Sequence, residues 1–163
     1  MEPEMDIKKN RFDTDMDADH EHRFHREEYP FFWIVNVHAR YSQLLEIELK
    51  KVGLDVSRFR VLTLAWKYRT ATVSQLAEYA VIKMPTVTKI LARLRQDGLV
   101  ITRASEADGR VTEVLPTPEG IARAEQANEL ASRIFNRSFK GIRPAQVNKM
   151  NQALALILSN LSE

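Results

Sequence analysis

Hydroxyl and cationic side chains recur at helical spacing near the middle of this chain. Thr86, Lys89 and Arg93 follow one another at intervals of three and four residues, with Pro85 beside them and Thr88 at the margin. At 100° per residue these positions fall on one face of a helix. Such groups hydrogen-bond to phosphate oxygens and to base edges. The spacing therefore predicts a nucleic-acid-binding face, although a solvated polar face has the same pattern.

The opposite side of the same segment is apolar and would hold the polar face in place. Four apolar residues fall at i, i+3, i+4 and i+7 and form one stripe for burial: Val87, Ile90, Leu91 and Leu94. Pro85 stands in the first turn, where its missing amide proton leaves no helical hydrogen bond unmade. Gly98 is placed to end the helix. The sequence thus predicts a short amphipathic helix whose polar face points outward.

A basic hairpin is predicted directly after this helix. Residues 99–103 and 111–115 are rich in β-branched side chains, and a polar loop containing Gly109 joins them. Arg110 in that loop is a candidate for insertion into a DNA minor groove, whose negative potential attracts guanidinium groups. Asp108 is expected to hold Arg110 rather than to contact DNA, because phosphate repels a carboxylate. A plain surface ion pair is the alternative for these two residues.

Capping patterns place two further helices before this unit. Ser57 is predicted to be the N-cap of one helix. Residues 72–75, Thr-Val-Ser-Gln, fit a capping box at the start of the next. Ser74 and Gln75 lie at that helix start and are candidates to position phosphates. For Gln75 the alternative is that it only caps its own helix.

Both ends of the chain carry more apolar surface than one packing face can bury. A long helix runs from Pro30 towards Gly53, and another starts at Thr117 and Pro118. Apolar residues cover more than one side of the first: Phe32, Ile34, Val35, Val37, Leu44, Leu45, Ile47 and Leu49. The last helix, from Pro144, has an apolar stripe: Val147, Met150, Leu154, Ile157, Leu158 and Leu161. This surplus predicts a dimer interface, and a single-chain helical bundle is the alternative.

Charge is distributed unevenly along the 163 residues, although the net charge is only +2. Residues 1–28 contain 5 Lys and Arg against 10 Asp and Glu, whereas residues 83–110 contain 6 against 3. Local positive charge is what phosphate binding requires.

Cysteine is absent, which excludes disulfides, thiolate zinc sites and cysteine redox sensing. No apolar run approaches the roughly 18 residues that are needed to cross a bilayer. A signal-peptide layout is also missing, so we expect a cytoplasmic protein with no membrane partner.

The central part of the sequence resembles the MarR family of transcriptional regulators. Three motifs carry the match: Thr-Val-Thr-Lys at 86–89 with Leu-x-x-Asp-Gly-Leu-Val at 94–100, Asp-x-Arg at 108–110, and Pro-Thr-Pro-Glu-Gly at 116–120 in place of the family's Leu-Thr-x-x-Gly. The order of helices before and after the motifs also agrees. The resemblance therefore extends over roughly residues 30–163.

The resemblance implies a mainly α fold with a small β-wing. It places a winged helix-turn-helix DNA-binding lobe at 55–117 and a dimerisation region of N- and C-terminal helices at 29–54 and 118–163. A mobile acidic, His-containing arm would occupy 1–28. The implied homodimer inserts two recognition helices into major grooves about one turn apart on a pseudo-palindromic double-stranded DNA operator. Family members commonly repress neighbouring genes and leave DNA when a small, often aromatic or anionic, ligand binds.

One position departs from the family pattern. The family often has a second arginine between the Asp and the Arg of the wing, and here that place is Gly109. We therefore expect fewer DNA contacts from the wing tip. Arg103, on the preceding strand, is a candidate to compensate.

Two further sets of residues are candidates for ligand binding. An effector cleft would be lined by polar and aromatic residues of the first two long helices: His38, Arg40, Tyr41, Arg60 and Trp66. For the aromatic residues the alternative is a place in the core. The effector could be a phenolic compound or its CoA thioester, an antibiotic, or absent altogether.

A metal site is the second possibility, because His20, His22 and His25 lie close together in the sequence. A fourth ligand at suitable spacing is missing, so neither a metal nor a cofactor is expected.

Three other functional classes compete with a DNA-binding repressor. The first is a protein-interaction module whose winged lobe contacts a partner protein, and the salt dependence of binding would distinguish it from a DNA-binding protein. The second is an enzyme, which the sequence does not support because it lacks a phosphate-binding glycine loop, a nucleophile elbow and a metal-ligand set. The third is a redox sensor, which would have to rely on methionine oxidation.

Overall fold

The structure, a computed structural model, describes residues 26–162. Within these residues a short 3-10 turn, Arg26–Glu28, precedes six α-helices and three strands. In chain order they are α1 (Pro30–Lys50), α2 (Val56–Tyr68), β1 (Ala71–Thr72), α3 (Val73–Ala80), α4 (Met84–Gln96), β2 (Val100–Ala104), β3 (Thr112–Pro116), α5 (Pro118–Ser138) and α6 (Pro144–Asn160). This order confirms the mainly helical fold with a small β-wing that the sequence predicts.

The three strands of the described chain form one antiparallel sheet in the order β1–β3–β2. The predicted hairpin is confirmed, with each strand beginning one residue later than expected, and Arg103 lies opposite Glu113 across it. Strand β1 was not predicted, because its second residue, Thr72, is also the N-cap of α3. A strand of two residues leaves no alternating pattern in the sequence. It joins the wing to the start of the helix-turn-helix.

The start of α2 differs from the prediction. Its N-cap is Asp55 rather than Ser57, and the Asp55 carboxylate accepts a hydrogen bond from the backbone N–H of Arg58 at 2.8 Å. Asp and Ser are comparably good N-caps, but Asp55 also accepts a hydrogen bond from the Arg58 guanidinium. The second donor favours the earlier cap. The capping box of Thr72 and Gln75 is confirmed, with both of its hydrogen bonds present.

One apolar core joins the lobe to the C-terminal half of α1 and to α5. Its buried side chains include residues from five helices and two strands: Leu45, Leu49, Leu62, Leu76, Leu94, Val100, Val114 and Ala124. The whole predicted stripe of α4 is buried in this core. Burial of an aliphatic side chain contributes roughly 1.5–3 kcal/mol. The stripe therefore fixes which face of α4 remains exposed.

Gly120 allows α5 to begin in contact with Leu99, the residue before β2. The Thr117 hydroxyl caps α5 by accepting from the Gly120 N–H, and it donates to the carbonyl of Gly98 at 2.7 Å. A Cβ on Gly120 would lie 1.9 Å from the carbonyl oxygen of Leu99. No non-bonded pair of atoms approaches so closely, so only glycine fits. This contact is the physical reason for the final glycine of the motif at 116–120.

The turn between α3 and α4 contains a strained residue. Val81 has φ 53° and ψ 47°, in the left-handed region, which β-branched residues seldom adopt. Its backbone N–H caps α3 by donating to the carbonyls of Ala77 and Glu78. The Val81 side chain is 88% exposed. The turn is thus held by its backbone hydrogen bonds and not by packing of the valine.

The first half of α1 and all of α6 leave apolar side chains in solvent. Val35 and Val37 on α1 are each 64% exposed, and Leu158 on α6 is 67% exposed. Helix α6 has no buried residue in the described chain. None of the described helices combines the length and the apolar content that crossing a bilayer requires. The apolar surplus predicted for both ends is therefore present, and the described residues leave it uncovered.

The last three residues of the predicted arm, Arg26–Glu28, contact the start of α1. The indole nitrogen of Trp33 donates to the carbonyl of Glu27 at 2.8 Å, and the Arg26 guanidinium lies over the Phe32 ring. The rest of the predicted arm lies outside the described residues. Three residues that the sequence assigned to the arm therefore pack against the helical region.

Candidate nucleic-acid interface

Helix α4 presents the polar face that the sequence predicts. The residues assigned to it are all exposed: Pro85, Thr86, Thr88, Lys89 and Arg93. Within the described residues, the side chains of Lys89 and Arg93 form no hydrogen bond or ion pair. Their charges are therefore not neutralised by neighbouring carboxylates. The face can attract an anion such as a phosphate.

Thr88 is used differently from the other residues of this face. Its hydroxyl donates a hydrogen bond to the carbonyl of Met84, one turn earlier, at 3.1 Å. Because the hydroxyl proton is used in this hydrogen bond, the Thr88 side chain can contact a ligand only through its methyl group or as a hydrogen-bond acceptor. A methyl group on such a face suits an apolar contact with the methyl group of thymine.

The wing tip is organised by Asp108. Its carboxylate accepts hydrogen bonds from the backbone N–H of Arg110 at 3.0 Å and from the Arg110 guanidinium at 3.2 Å. The backbone bond, followed by the guanidinium, holds the pKa of Asp108 below its ordinary value. The Arg110 side chain is nevertheless 92% exposed. The contact predicted between Asp108 and Arg110 is confirmed, and it aligns an arginine that remains accessible.

Arg103 is more constrained than Arg110. Its guanidinium pairs with Glu113 at 3.0 Å across the hairpin, and Glu113 also accepts a hydrogen bond from the Ser105 hydroxyl. The hydrogen bonds from Ser105 and then from Arg103 hold the pKa of Glu113 below its ordinary value. Arg103 therefore already neutralises a carboxylate. Its compensating role at the wing stays a prediction.

The start of α3 carries the other two candidate residues for phosphate contact. The Gln75 side-chain oxygen accepts from the backbone N–H of Thr72 at 2.9 Å, and the Ser74 and Thr72 hydroxyls lie 3.0 Å apart. Gln75 thus does cap its own helix, as the alternative interpretation held. Only its amide protons are left to donate to a phosphate.

A cleft of about 500 Å³ separates α4 from the wing. Its polar lining combines hydroxyls with two guanidinium groups: Thr72, Ser74, Thr88, Arg95, Thr102, Arg110 and Thr112. Arg95 donates to the Thr102 hydroxyl at 3.3 Å. Sequence reasoning missed Arg95 and Thr102, because Arg95 lies on the side of α4 that faces the wing and only the folded hairpin brings Thr102 near it. The one available signal was a second arginine two residues after Arg93.

The five candidate effector residues do not line one cavity in the described chain. Tyr41 packs against the core, and Arg60 donates to the carbonyl of Ala80 at 3.1 Å. His38 and Arg40 are exposed on α1. Trp66 also packs against the core and borders a sizeable cleft. For Tyr41 the core alternative is therefore the observed one.

The cleft beside Trp66 has a volume of about 560 Å³, is open to solvent, and is otherwise lined by α5. Its α5 residues are polar or charged: Glu125, Asn128, Glu129, Ser132 and Arg133. The indole N–H of Trp66 is buried and has no hydrogen-bond partner in the described chain. Leaving a buried donor unpaired costs roughly 1–3 kcal/mol. A molecule with a hydrogen-bond acceptor would relieve that cost.

No metal site emerges from the described part of the chain, where no three His, Cys, Asp or Glu residues are grouped to hold an ion. The histidines considered for a metal site, His20, His22 and His25, lie outside the described residues.

The sequence matches a known family and a known repressor. A model of the MarR family matches residues 54–112. Over 138 residues the chain is 42% identical to the HTH-type transcriptional repressor IacR of Pseudomonas putida, and the alignment covers 85% of this chain and 83% of that repressor.

The fold is similar to solved structures of regulators. CouR from Rhodococcus jostii RHA1, bound to p-coumaroyl-CoA, superposes with a TM-score of 0.76 and 22% identity, covering 81% of this chain and 93% of CouR. A mutant of E. coli MarR complexed with operator DNA superposes with a TM-score of 0.71 and 22% identity, covering 82% of this chain and 96% of MarR.

Proposed function

The chain is a member of the MarR family of DNA-binding transcriptional regulators, and from this we propose that it is a repressor that a small aromatic effector releases from its operator. One observation carries the proposal: Thr88 of α4 and Arg110 of the wing line the same cleft. The helix face and the wing tip thus belong to one continuous surface. A duplex lying across this surface would meet both.

We assign the contacts by chemistry and position. Thr86 and Thr88, in the first turns of α4, face base edges, while Lys89 and Arg93 bind phosphates or a guanine edge. Arg110 enters a minor groove. Ser74, Gln75 and Pro85 position the helix-turn-helix on the DNA backbone, as do Arg95 and Thr102 in the cleft.

The DNA-binding unit is proposed to be a homodimer. The apolar residues exposed on α1 and α6 would be buried against a second copy, which accounts for a helix that has no buried residue of its own. The dimerisation region would comprise residues 29–54 and 118–163, and the lobe residues 55–117. Two lobes related by a two-fold axis require an operator with matching half-sites.

The effector is proposed to occupy the cleft beside Trp66. An acceptor group would pair with the unpartnered Trp66 N–H, an anionic group with Arg133, and a phenolic hydroxyl with Glu125 or Glu129. CouR is similar in fold and binds p-coumaroyl-CoA, a thioester of a phenolic acid. A phenolic acid, with one carboxylate and one hydroxyl, therefore suits the lining, and its CoA thioester is the kind of ligand that CouR binds.

The proposed function has no catalytic step. The polar residues of the interface are assigned to DNA, and the family to which the chain belongs consists of transcriptional regulators. We infer that binding, and not turnover, is the activity of the chain.

The test is to recover DNA fragments retained by the purified protein and to measure the affinity for the enriched sequence against salt. We expect a pseudo-palindrome and a loss of about three to five orders of magnitude between 50 and 200 mM salt, as for 6–10 phosphate contacts. Retention of no sequence, with binding that is insensitive to salt, would instead favour a protein-interaction module.

The effector is tested by adding p-coumarate or p-coumaroyl-CoA to the protein–DNA complex. Trp66→Phe keeps the aromatic ring and removes the N–H. We expect DNA binding to be unchanged, whereas release by the effector should require roughly tenfold more ligand, the value of one hydrogen bond to a charged group. Equal sensitivity of both proteins to the effector would remove Trp66 from the site.

A further inference from the structure

Arg58 connects two helices through two carboxylates. Its Nε donates to Asp55 and its Nη1 donates to Asp97, both at 2.8 Å. Asp55 is the N-cap of α2 and Asp97 is the C-cap of α4. Only 22% of the Arg58 side chain is exposed. One guanidinium thus ties the last turn of α4 to the first turn of α2.

The second tie between α2 and the helix-turn-helix comes from the neighbouring arginine. Arg60 donates to the carbonyl of Ala80, the last residue of α3. Side chains two residues apart on α2 therefore hold the C-terminal ends of both α3 and α4. These ends carry the negative poles of the helix dipoles, where a cation is stabilising.

Asp97 needs a cation for the same reason. A carboxylate at a helix C-terminus lies at the negative pole and is disfavoured there. Arg58 neutralises it. Although partial burial acts to lower the pKa of Arg58, the carboxylates of Asp55 and Asp97 outweigh this and raise it. Because the pair is formed by residues 39 positions apart, it constrains tertiary geometry and not only local helix structure.

We infer that Arg58 is a positioning residue for operator recognition: through Asp97 it fixes the angle at which α4 presents its contact face. This inference rests on the proposed DNA interface. Arg58 itself is not assigned to DNA, because only 22% of its side chain is exposed and its charge is balanced by Asp55 and Asp97. Specific recognition needs side chains placed to within fractions of an ångström of base edges, whereas non-specific attraction to phosphates tolerates a small rotation of the helix.

The two kinds of DNA binding therefore separate a positioning role from a phosphate contact. In Arg58→Gln we expect the affinity for the enriched operator to fall about five- to tenfold, the usual size of a coupling between contacting groups. Affinity for a random-sequence duplex and the dependence on salt should stay as in the wild type. A salt slope lowered by about one, with both affinities reduced alike, would overturn the inference and make Arg58 a phosphate contact.

The matched control is Lys51→Gln. It removes the same charge from an exposed ion pair with Glu48 that touches neither helix of the helix-turn-helix. We expect it to leave operator affinity, random-duplex affinity and their ratio unchanged. An equal loss in this control would mean that net charge, and not the tie to α4, is responsible.

A double-mutant cycle tests whether Arg58 acts through Asp97. Asp97→Asn alone and the double variant should bind the operator about as weakly as Arg58→Gln, because breaking one tie twice adds nothing. Additive losses would overturn the inference. Thermal unfolding of each variant identifies any that fail to fold. If Arg58→Gln fails to fold, it is replaced by Arg58→Lys, whose ammonium retains the charge without the rigid fork of the guanidinium.

A readout without DNA separates this inference from the proposed function. Amide hydrogen exchange in residues 91–97 should be faster in Arg58→Gln than in the wild type and unchanged in Lys51→Gln. If the wild type has no preferred DNA sequence, the proposed function fails, and a specificity role for Arg58 fails with it. Faster exchange would then show only that Arg58 holds α4, whereas unchanged exchange would remove that tie as well.

Discussion

The winged lobe and the terminal helices bury their apolar residues in opposite ways. In the lobe, the apolar stripe of α4 is covered by the same chain, and the polar side is exposed. On α6 and the first half of α1, apolar side chains are exposed and nothing in the described chain covers them. The lobe therefore buries its apolar residues within the chain, whereas the described chain leaves those of α6 and the first half of α1 exposed. The comparison is the reason that we propose recognition for the first region and assembly with a second copy for the other.

The largest expected effect lies where α5 meets the lobe, at Gly120. In Gly120→Ala the new Cβ would meet the Leu99 carbonyl, which belongs to rigid backbone. We expect a loss of about 3 kcal/mol or more in the free energy of unfolding, at the upper end of overpacking effects, measured by urea denaturation. Gly109→Ala is the control, since a Cβ there meets nothing within 4 Å. Equal stability of the two variants would refute the close approach.

Adding charge to the exposed apolar residues tests most directly whether they form the dimer interface. Val37→Glu and Leu158→Glu should each raise the dimer dissociation constant at least about tenfold, since a buried unpaired charge is strongly unfavourable at an interface. Ile101→Glu alters an apolar residue of the lobe that is also more than half exposed and should leave the dimer intact. Analytical ultracentrifugation measures all three. A monomeric wild type, or dimer loss in Ile101→Glu alone, would reverse the assignment.

A smaller effect is expected at the wing. Arg110→Ala should weaken operator binding by roughly tenfold or less and lower the salt slope by about one, because one phosphate or minor-groove contact is lost. Arg103→Ala should weaken binding less, since that arginine is paired with Glu113. Neither change should shift the dimer equilibrium. Unchanged affinity in Arg110→Ala would exclude the wing tip from the interface.

The smallest expected effect is the dependence of stability on acid. Partial burial acts to raise the pKa of Asp55, but the hydrogen bonds from the Arg58 backbone and guanidinium outweigh it and hold the pKa below its ordinary value of 3.8. Because the pKa is lower in the folded state than in the unfolded state, the ionised carboxylate of Asp55 stabilises the fold. The stabilisation is therefore complete well above pH 3.8 and is lost as the pH falls through the folded value. Denaturation of Asp55→Asn between pH 2 and 6 should show a flatter profile than the wild type.

Sequence patterns predicted the elements that local physics determines. The stripe of α4, the capping box at Thr72 and the proline-started helices follow from spacing and cap chemistry, and all are present. The N-cap of α2 was misplaced, because Asp55 and Ser57 are both good caps and only the position of the Arg58 side chain decides between them. Local patterns therefore locate a helix well and its first residue less well.

Contacts between distant segments could not be predicted from the sequence. Nothing in the residue types alone indicates that Arg58 meets Asp97, or that Arg95 reaches Thr102 in the wing. The effector residues were grouped by chemistry on neighbouring helices, but helix packing separates Arg60 and Tyr41 from the cleft beside Trp66. Such groupings depend on interhelical angles, which helical spacing does not encode.

The left-handed backbone at Val81 has a consequence for how this chain can change. A valine stands where the backbone favours glycine, and its side chain contributes nothing to the interior. Glycine there would remove a steric cost of roughly 1–2 kcal/mol, partly offset by about 0.4–1 kcal/mol of extra freedom in the unfolded chain. Selection of variants for heat resistance could therefore gain stability at this loop without changing any residue of the proposed DNA interface.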